Sequence, residues 1–216
     1  MAPIIHHEQL IETFGTEQVR RFPEATLPAG LTHQPTRTFL AETGLPTELR
    51  SGFLSTEDPA DESWMQPLPE LYQEMSTGRR GKWKWPLPEG AEHCYVLGRF
   101  EGGSIILDGS TGELRFIPDW NEPPSPLHSD VNALAYFMYL IEVNRDVYAH
   151  ERVESEIGDD PDAQAAAYLA VARVLAERLY EADPTPFPEG VREPWANDFA
   201  GPWTVAFFDI AEGMWS

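Results

Sequence analysis

The chain of 216 residues is 42% hydrophobic and 12% aromatic, a composition that indicates a globular protein and excludes a disordered one. It contains 15 basic and 36 acidic residues, and its formal net charge of −21 disfavours nucleic acid and anionic membranes as partners and favours a basic protein. Its single cysteine, Cys94, excludes an intrachain disulfide framework, and no apolar run approaches the roughly 20 residues that a membrane span requires.

These bulk properties predict a domain that needs no disulfide or metal to fold. The mixed helical and strand patterns described below, without an internal repeat or a linker, predict one α+β domain over residues 1–216. Residues 4–14 lack the apolar segment of a signal peptide, and together with the lone cysteine this predicts a cytoplasmic protein. The negative charge has a second interpretation, in which it only keeps the protein soluble.

The first 70 residues contain two short helical patterns separated by prolines. Residues 4–14 place apolar side chains at helical spacing and end at Gly15, which predicts a first helix. Thr36 is a candidate N-cap for a second helix over residues 36–43, which stops at a Gly-Leu-Pro sequence. Residues 55–70 are polar and interrupted by prolines, so we expect a long surface loop there.

Five glycines lie among the 23 residues from Cys94 to Phe116, and they raise the question of a phosphate-binding loop. Such a loop requires a helix after the glycines, with its N-terminal amides facing the anion. Here short apolar runs follow both glycine clusters, and neither GxxxxGK[ST] nor GxGxxG occurs. The pattern therefore predicts an antiparallel meander of three strands, with Gly102 and Gly103 as a two-residue turn.

The C-terminal half is predicted to contain three helices, over residues 130–144, from Asp160 to about residue 182, and from about residue 203. Ser129 or Asp130 is a candidate N-cap for the first of these helices, whose apolar residues form one stripe. Asp160 followed by Pro161 is a strong start signal for the second, because proline is favoured at the first helical position.

The sequence contains few residues in patterns typical of catalysis. None of the six histidines lies at a spacing typical of a zinc site, and one cysteine cannot form a Cys-rich site. Ser104 and Ser110 lie near glycines but lack the GxSxG pattern of a hydrolase nucleophile. A pair of Cys94 with a histidine, brought together by the fold, stays open as an enzyme hypothesis. The alternative is that Cys94 is a small core residue.

One short segment contradicts the global charge. Residues 79–85 alternate bases with Trp83 and Trp85, a pattern suited to stacking on nucleic-acid bases while its cations hold phosphates. The alternative is an edge strand with outward lysines and inward tryptophans, where lysine also prevents edge-to-edge aggregation. We favour the edge strand, because a polyanion repels a molecule with a net charge of −21.

Four segments together resemble the SUKH superfamily, and in particular its fourth group of bacterial immunity proteins. They are HHEQLIETFG, LPAGLTHQPTRTFLAETGLP, YVLGRFEGGSIILDGSTGELRFI and SDVNALAYFMYLI. The resemblance covers about residues 7–144 and rests on glycines, prolines and apolar positions. It implies a single α+β domain with a curved, mostly antiparallel sheet and helices packed around it.

The resemblance also implies a function. SUKH immunity proteins bind and neutralise polymorphic toxins, often nucleases or nucleic-acid deaminases, and they do so without catalysis or a cofactor. The alternative is a non-enzymatic SUKH-type module that binds a scaffold or regulatory partner. A fold of this kind is used against many toxins, so the resemblance does not name the toxin.

An acidic surface is the candidate contact for a basic toxin, because opposite charge accelerates association while buried aromatic side chains supply affinity. The first candidate cluster is Glu151, Glu154, Glu156, Asp159 and Asp160, and the second is Asp58, Asp61 and Glu62. For both clusters the alternative is a solvated loop. Trp83 and Trp85 are candidate aromatic anchors, with half-buried strand residues as the alternative.

Overall fold

Seven strands form two antiparallel sheets in a computed structural model that describes residues 2–49, 52–56, 64–77, 85–119, 122–187 and 202–214. The small sheet pairs β1 (Val19–Arg20) with β2 (Leu45–Pro46). The larger sheet contains β3 (Leu54–Thr56), β4 (Cys94–Phe100), β5 (Gly103–Asp108), β6 (Leu114–Pro118) and β7 (Ser125–His128). Its strands are ordered as in the chain, so each one pairs with its sequence neighbour.

Eight α-helices lie in the described part of the chain. They are α1 (His7–Phe14), α2 (Gln34–Glu42), α3 (Leu68–Thr77), α4 (Val131–Val143), α5 (Arg145–Tyr148), α6 (His150–Ile157), α7 (Pro161–Ala182) and α8 (Trp203–Ala211). Helices together with antiparallel sheets confirm the α+β class. A helix both long enough and apolar enough to cross a membrane is not found among the described residues.

The glycine-rich stretch forms the meander that the sequence predicts, and the phosphate-loop alternative is wrong because a strand follows each glycine cluster. The first turn lies one residue earlier than expected. Phe100 pairs with Gly103, so that Glu101 and Gly102 form the turn and Gly103 begins β5. Gly102 has a φ of 81°, a left-handed conformation that favours glycine.

Helix α4 is the apolar helix that the sequence predicts. Asp130 is its N-cap, since its carboxylate accepts a hydrogen bond of 2.7 Å from the backbone N–H of Ala133. The predicted apolar stripe is fully buried and consists of Leu134, Phe137, Met138 and Ile141. The cap and the stripe together explain why this segment begins and packs where it does.

The two faces of the larger sheet pack against different parts of the chain. One face contributes Tyr95, Leu97, Ile105 and Leu107 to the main core, which also contains residues of α4, α7 and α8. The opposite face contributes Cys94, Val96, Ile106 and Ile117 to a smaller core with Leu68, Leu71 and Tyr72 of α3. Successive strand residues point to opposite faces, so this alternation is the period expected of a sheet covered on both sides.

The expected surface loop over residues 55–70 is wrong where the structure describes it. Residues 55–56 belong to β3, and α3 begins at Leu68. Met65 and Leu68 are buried, and residues 57–63 lie outside the described residues. Prolines suggested a loop, but a proline in the first turn of a helix breaks no hydrogen bond.

Helices α1 and α2 differ from their predicted bounds. Helix α1 begins at His7 rather than at residue 4, because the backbone N–H of Ile5 donates to the Asn132 side chain (3.0 Å) and the chain there is not helical. Helix α2 is capped by His33 rather than by Thr36. Thr36 is instead buried inside the first turn, where its hydroxyl lies 2.8 Å from the His33 ring nitrogen Nδ1.

The last two predicted helices are confirmed. Helix α7 starts directly after Asp160 and ends at Ala182, and α8 starts at Trp203. The two pack against one another, and both contribute to the main core. The C-terminal sequence is therefore core, as its apolar composition predicts.

Candidate partner-binding surface

The acidic segment between α4 and α7 is helical over residues 145–148 and 150–157, so Glu151, Glu154 and Glu156 lie on a helix, whereas Asp159 and Asp160 lie in the connection that leads to α7. It forms α5 and α6, which are separated at Ala149, where the backbone is extended with a φ of −61° and a ψ of 132°. Helix α6 ends at Gly158, whose φ of 77° favours glycine. Asp159 follows this glycine, and Asp160 is the N-cap of α7, which begins at Pro161.

Buried side chains fix these helices to the rest of the protein. Tyr148 of α5 is buried, and its hydroxyl donates a hydrogen bond of 2.7 Å to the carbonyl of Ile141. Val153 of α6 is buried, and the ring nitrogen Nδ1 of His150 lies 2.9 Å from the hydroxyl of Tyr168 on α7. The acidic side chains therefore project from anchored helices, which lowers the conformational entropy that binding must remove.

All five carboxylates of the first cluster are exposed, but two of them have structural roles. Glu156 forms an ion pair of 2.8 Å with Arg152 one helical turn earlier. Asp160 accepts hydrogen bonds from the backbone N–H groups of Asp162 and Ala163, at 3.1 and 3.2 Å, and so caps α7.

The other three carboxylates are Glu151, Glu154 and Asp159, which we call the open acidic set. None of them makes a hydrogen bond or ion pair through its carboxylate to another residue that the structure describes. Glu154 lies near the hydroxyl of Tyr168, whose pKa is raised first by burial and then by this negative charge. The open acidic set is therefore the part of the cluster that is available to a cationic partner.

The remaining candidates are divided between masked and described parts of the chain. Asp58, Asp61, Glu62 and Trp83 lie outside the described residues, as does the predicted edge strand up to residue 84. Trp85 is 37% exposed and belongs to no strand. It lines a groove of about 320 Å³ beside α3 and the sheet, and none of the groove's lining residues comes from α5, α6 or α7. The structure therefore does not bring Trp85 together with the acidic cluster.

Cys94 is a core residue and not a reactive thiol. It is buried among apolar residues of the smaller core, and its thiol donates to the carbonyl of Gly90 at 3.8 Å. Burial, together with the negative charge of Asp108, raises its pKa to about 11. The thiol is thus protonated at neutral pH, which disfavours its use as a nucleophile and argues against the Cys94–histidine pair.

The main core contains a buried polar chain, a series of hydrogen-bonded side chains made of Asp183, His128 and Trp203. The sequence analysis did not predict it. His128 is fully buried, and its Nδ1 lies 3.0 Å from a carboxylate oxygen of Asp183, the residue after α7. Its Nε2 accepts a hydrogen bond of 3.1 Å from the indole N–H of Trp203 in α8. An indole nitrogen can only donate, so Nε2 carries no proton and His128 is a neutral ring that donates to Asp183 through Nδ1.

Burial and hydrogen bonding fix the charge states in this chain. Burial lowers the pKa of His128, since it disfavours the charged ring. Burial also acts to raise the pKa of Asp183, but hydrogen bonds from His128, Thr185 and Ser129 outweigh it and hold the pKa at about 2. In this buried polar chain, His128 lies 55 positions before Asp183 and 75 positions before Trp203, so no local sequence pattern could have revealed it. Its ring has no exposed surface, so its role is structural.

A metal site is likewise not apparent in the described chain, where no group of three or more His, Cys, Asp or Glu side chains is placed to hold an ion. The geometry thus offers an anchored, exposed acidic surface and a core whose titratable groups are buried and paired.

Comparison with known families agrees with this geometry. A model of the SUKH-4 immunity protein family matches residues 5–207, which extends the sequence resemblance through α7 and into α8. Neither a comparison with curated proteins nor one with solved structures found a match. The family match covers most of the chain, and it supports the role of an immunity protein, which implies binding to a cognate toxin. The chain therefore belongs to the SUKH-4 immunity protein family.

Proposed function

We propose that the protein neutralises a basic toxin domain by binding it through the exposed face of α5, α6 and the start of α7. The observation that carries this proposal is the open acidic set, with Glu151 and Glu154 on the anchored helix α6 and Asp159 in the connection that follows it. Carboxylates that stabilise no described contact of the protein itself keep their charge for a partner. Their loss is expected to weaken binding and to leave the fold intact.

The overall charge supports a basic partner. A net charge of −21 creates a field that steers a cationic protein toward the surface and raises the association rate, and salt screens this effect. Proteins that cleave or deaminate nucleic acid hold its phosphates in a basic groove. We therefore infer that the toxin is a nuclease or a nucleic-acid deaminase, and that this acidic face covers part of its groove.

We also infer that residues 1–216 act as one domain without a cofactor. The main core contains residues from Ile5 near the start to Ala211 near the end of the chain, which supports one folding unit. The protein acts as a binder and not as an enzyme, since its one cysteine is a buried, protonated thiol and its family consists of immunity proteins.

Toxin rescue in cells tests the proposal. The toxin domain encoded beside this gene is expressed with wild-type protein, with a variant of the open acidic set, or with a control. The variant carries Glu151→Gln, Glu154→Gln and Asp159→Asn. The control carries Glu70→Gln, Glu177→Gln and Glu181→Gln, which remove the same charge from exposed positions on α3 and on the C-terminal part of α7.

We expect the wild type and the control to rescue growth, and the variant to give fewer survivors at equal protein levels. Equal rescue by all three would keep the immunity role and contradict the proposed surface. Failure of the soluble wild type against a toxin of confirmed lethality would contradict toxin neutralisation. The alternative of a SUKH-type module for a scaffold or regulatory partner would then take its place.

A further inference from the structure

A solvent-facing apolar stripe lies next to the acidic helices, at the end of α4. Tyr139 is partly buried against the core, whereas Val143 is 50% exposed and Val147, at the start of the next turn on α5, is 42% exposed. Tyr139 and Val143 are one helical turn apart on α4, and Val147 lies just beyond the junction with α5 at Asn144. Most of α4 is buried, which makes the exposed Val143 at its end an exception that the packing of the described residues does not explain.

A groove of about 350 Å³ runs alongside this stripe. Tyr139 and Val143 line it from α4, and Glu12 and Thr13 line it from the last turn of α1. The remaining lining residues are Glu142, Arg145 and Asp146. The groove thus combines an apolar surface with three carboxylates, one each from α1, α4 and α5.

The charges of the groove are only partly balanced. Arg145 is the cation among its described lining residues, and its guanidinium lies 3.6 Å from the buried carboxylate of Glu142. Glu12 and Asp146 are exposed, and neither makes an ion pair with another described residue. A cation entering the groove would therefore meet two carboxylates whose charge nothing in the described chain neutralises.

An arginine or lysine side chain has the matching chemistry. Its aliphatic stem can lie on Tyr139 and Val143, while its charged head reaches the carboxylates of Glu12 and Asp146. An apolar neighbour of that cation would cover Val147, the next exposed residue of the stripe. Asp146 of the groove belongs to α5, and α6 with Glu151 and Glu154 follows it in the chain after Ala149.

We propose that this groove is the anchoring point of the partner interface, and that it receives an arginine or lysine of a basic protein segment whose apolar neighbour packs on Val143 and Val147. The assignment rests on the proposed function, because the basic segment belongs to the toxin. The open acidic set steers the partner, and the groove holds it. In protein interfaces, exposed charges commonly set the association rate, and a few packed residues set the dissociation rate.

The first test needs no toxin. The amide spectrum of the 15N-labelled protein is recorded during titration with the tripeptide acetyl-Arg-Leu-Arg-amide, and separately with acetyl-Glu-Leu-Glu-amide. The proposal predicts that the basic peptide shifts the amide signals of Thr13, Val143 and Asp146, and that the acidic peptide does not. Shifts confined to α6, or no shift at millimolar basic peptide, would overturn it.

The second test measures affinity for the toxin domain encoded beside this gene. Val143→Lys and Val147→Lys place cations on the apolar stripe, and we expect the dissociation constant to rise roughly tenfold or more, mainly through faster dissociation. The control is Val174→Lys on α7, since Val174 is a similarly exposed valine that belongs to neither α4 nor α5. It should change the dissociation constant less than about twofold.

Glu12→Gln with Asp146→Asn provides a second variant that keeps the apolar stripe. Binding by the wild type, with equal affinity in all groove variants, would overturn the groove and leave the proposed function standing. If the wild type does not bind the toxin, the proposed function fails, and the peptide titration alone decides whether the groove takes a cation. The two failures are therefore distinguishable.

Discussion

Two sets of polar side chains in this protein differ in their roles. The buried chain of Asp183, His128 and Trp203 stabilises the core, whereas the open acidic set is exposed to solvent. In the buried chain each described polar group has a partner at hydrogen-bond distance. In the open acidic set the carboxylates are exposed and form no described pair. The comparison shows that partners and burial, rather than residue type, separate groups that hold this fold from groups that are available for binding.

The largest expected effect comes from removing the indole of the buried chain. The ring centroid of Trp203 lies 4.8 Å from that of Phe100 and 5.4 Å from that of Phe137. Its indole N–H also donates a hydrogen bond to His128. Trp203→Ala is expected to lower the free energy of unfolding by about 3–5 kcal/mol, through lost packing and a cavity. Urea denaturation followed by circular dichroism measures it. Trp85→Ala, at a partly exposed position, should cost less than about 1 kcal/mol, and equal losses would contradict this contrast.

Asp183 offers the next largest effect. Asp183→Ala leaves the N–H groups of His128, Ser129 and Thr185 without their acceptor, which should lower the free energy of unfolding by about 3 kcal/mol. Asp183→Asn should cost less, because the amide oxygen still accepts. Asp159→Ala removes an exposed carboxylate and should stay within about 0.5 kcal/mol. A comparable loss for Asp159→Ala and Asp183→Ala in the same urea experiment would show that burial and pairing do not distinguish them.

The buried chain also predicts how stability depends on pH. The pKa of His128 is lowered by burial, so below its ordinary value of 6.5 the unfolded chain binds a proton that the folded chain does not, and stability falls as the pH decreases. The pKa of Asp183 is about 2, and its stabilising contribution, present above its ordinary value of 3.8, is lost as the pH falls toward 2.

Denaturation between pH 4.5 and 8 separates the contribution of His128 from that of other groups. His128→Gln removes the titrating ring, and its amide oxygen can still accept from Trp203. Exposed titrating groups contribute equally to wild type and variant, so we expect a shallower loss of stability below pH 6.5 in the variant. If the free energy of unfolding depends on pH in the same way in the wild type and in His128→Gln, the pKa of His128 is the same in the folded and unfolded states.

The smallest expected effect comes from the open acidic set. Glu151→Gln, Glu154→Gln and Asp159→Asn together should change the free energy of unfolding by no more than about 0.5 kcal/mol, since exposed charges without partners contribute little. Thermal and urea denaturation measure this effect. A loss above about 2 kcal/mol would show that these carboxylates support the fold.

Elements with a strong local pattern could be predicted from the sequence. The meander, α4 and α7 each combine a clear apolar period with a start or turn signal, and the structure confirms them. Helix α3 was missed, although Leu68, Leu71, Tyr72 and Met75 have helical spacing. Nearby prolines outweighed that spacing, yet proline is well tolerated at the start of a helix.

The sequence indicates which segment is acidic, but it does not give the structure of that segment. Its acidic character is evident from composition, but the helical form of residues 145–157 is not, because many charges obscure the short apolar pattern of Tyr148 and Val153. Which carboxylates are structural depends on local geometry, as Glu156 and Asp160 show. The groove beside α4 was beyond sequence analysis, since it joins Glu12 to Asp146 across the fold.

The most direct test of the account is the association rate constant with the toxin domain, measured by stopped-flow fluorescence at several ionic strengths. Wild type, the open-acidic-set variant and the control with Glu70→Gln, Glu177→Gln and Glu181→Gln are compared. The account predicts an association rate for the variant lower by on the order of tenfold at low salt, and a difference that shrinks as salt screens the charges. The control should follow the wild type. Identical rates and salt slopes for the variant and the control would contradict the claim that this acidic surface guides the toxin.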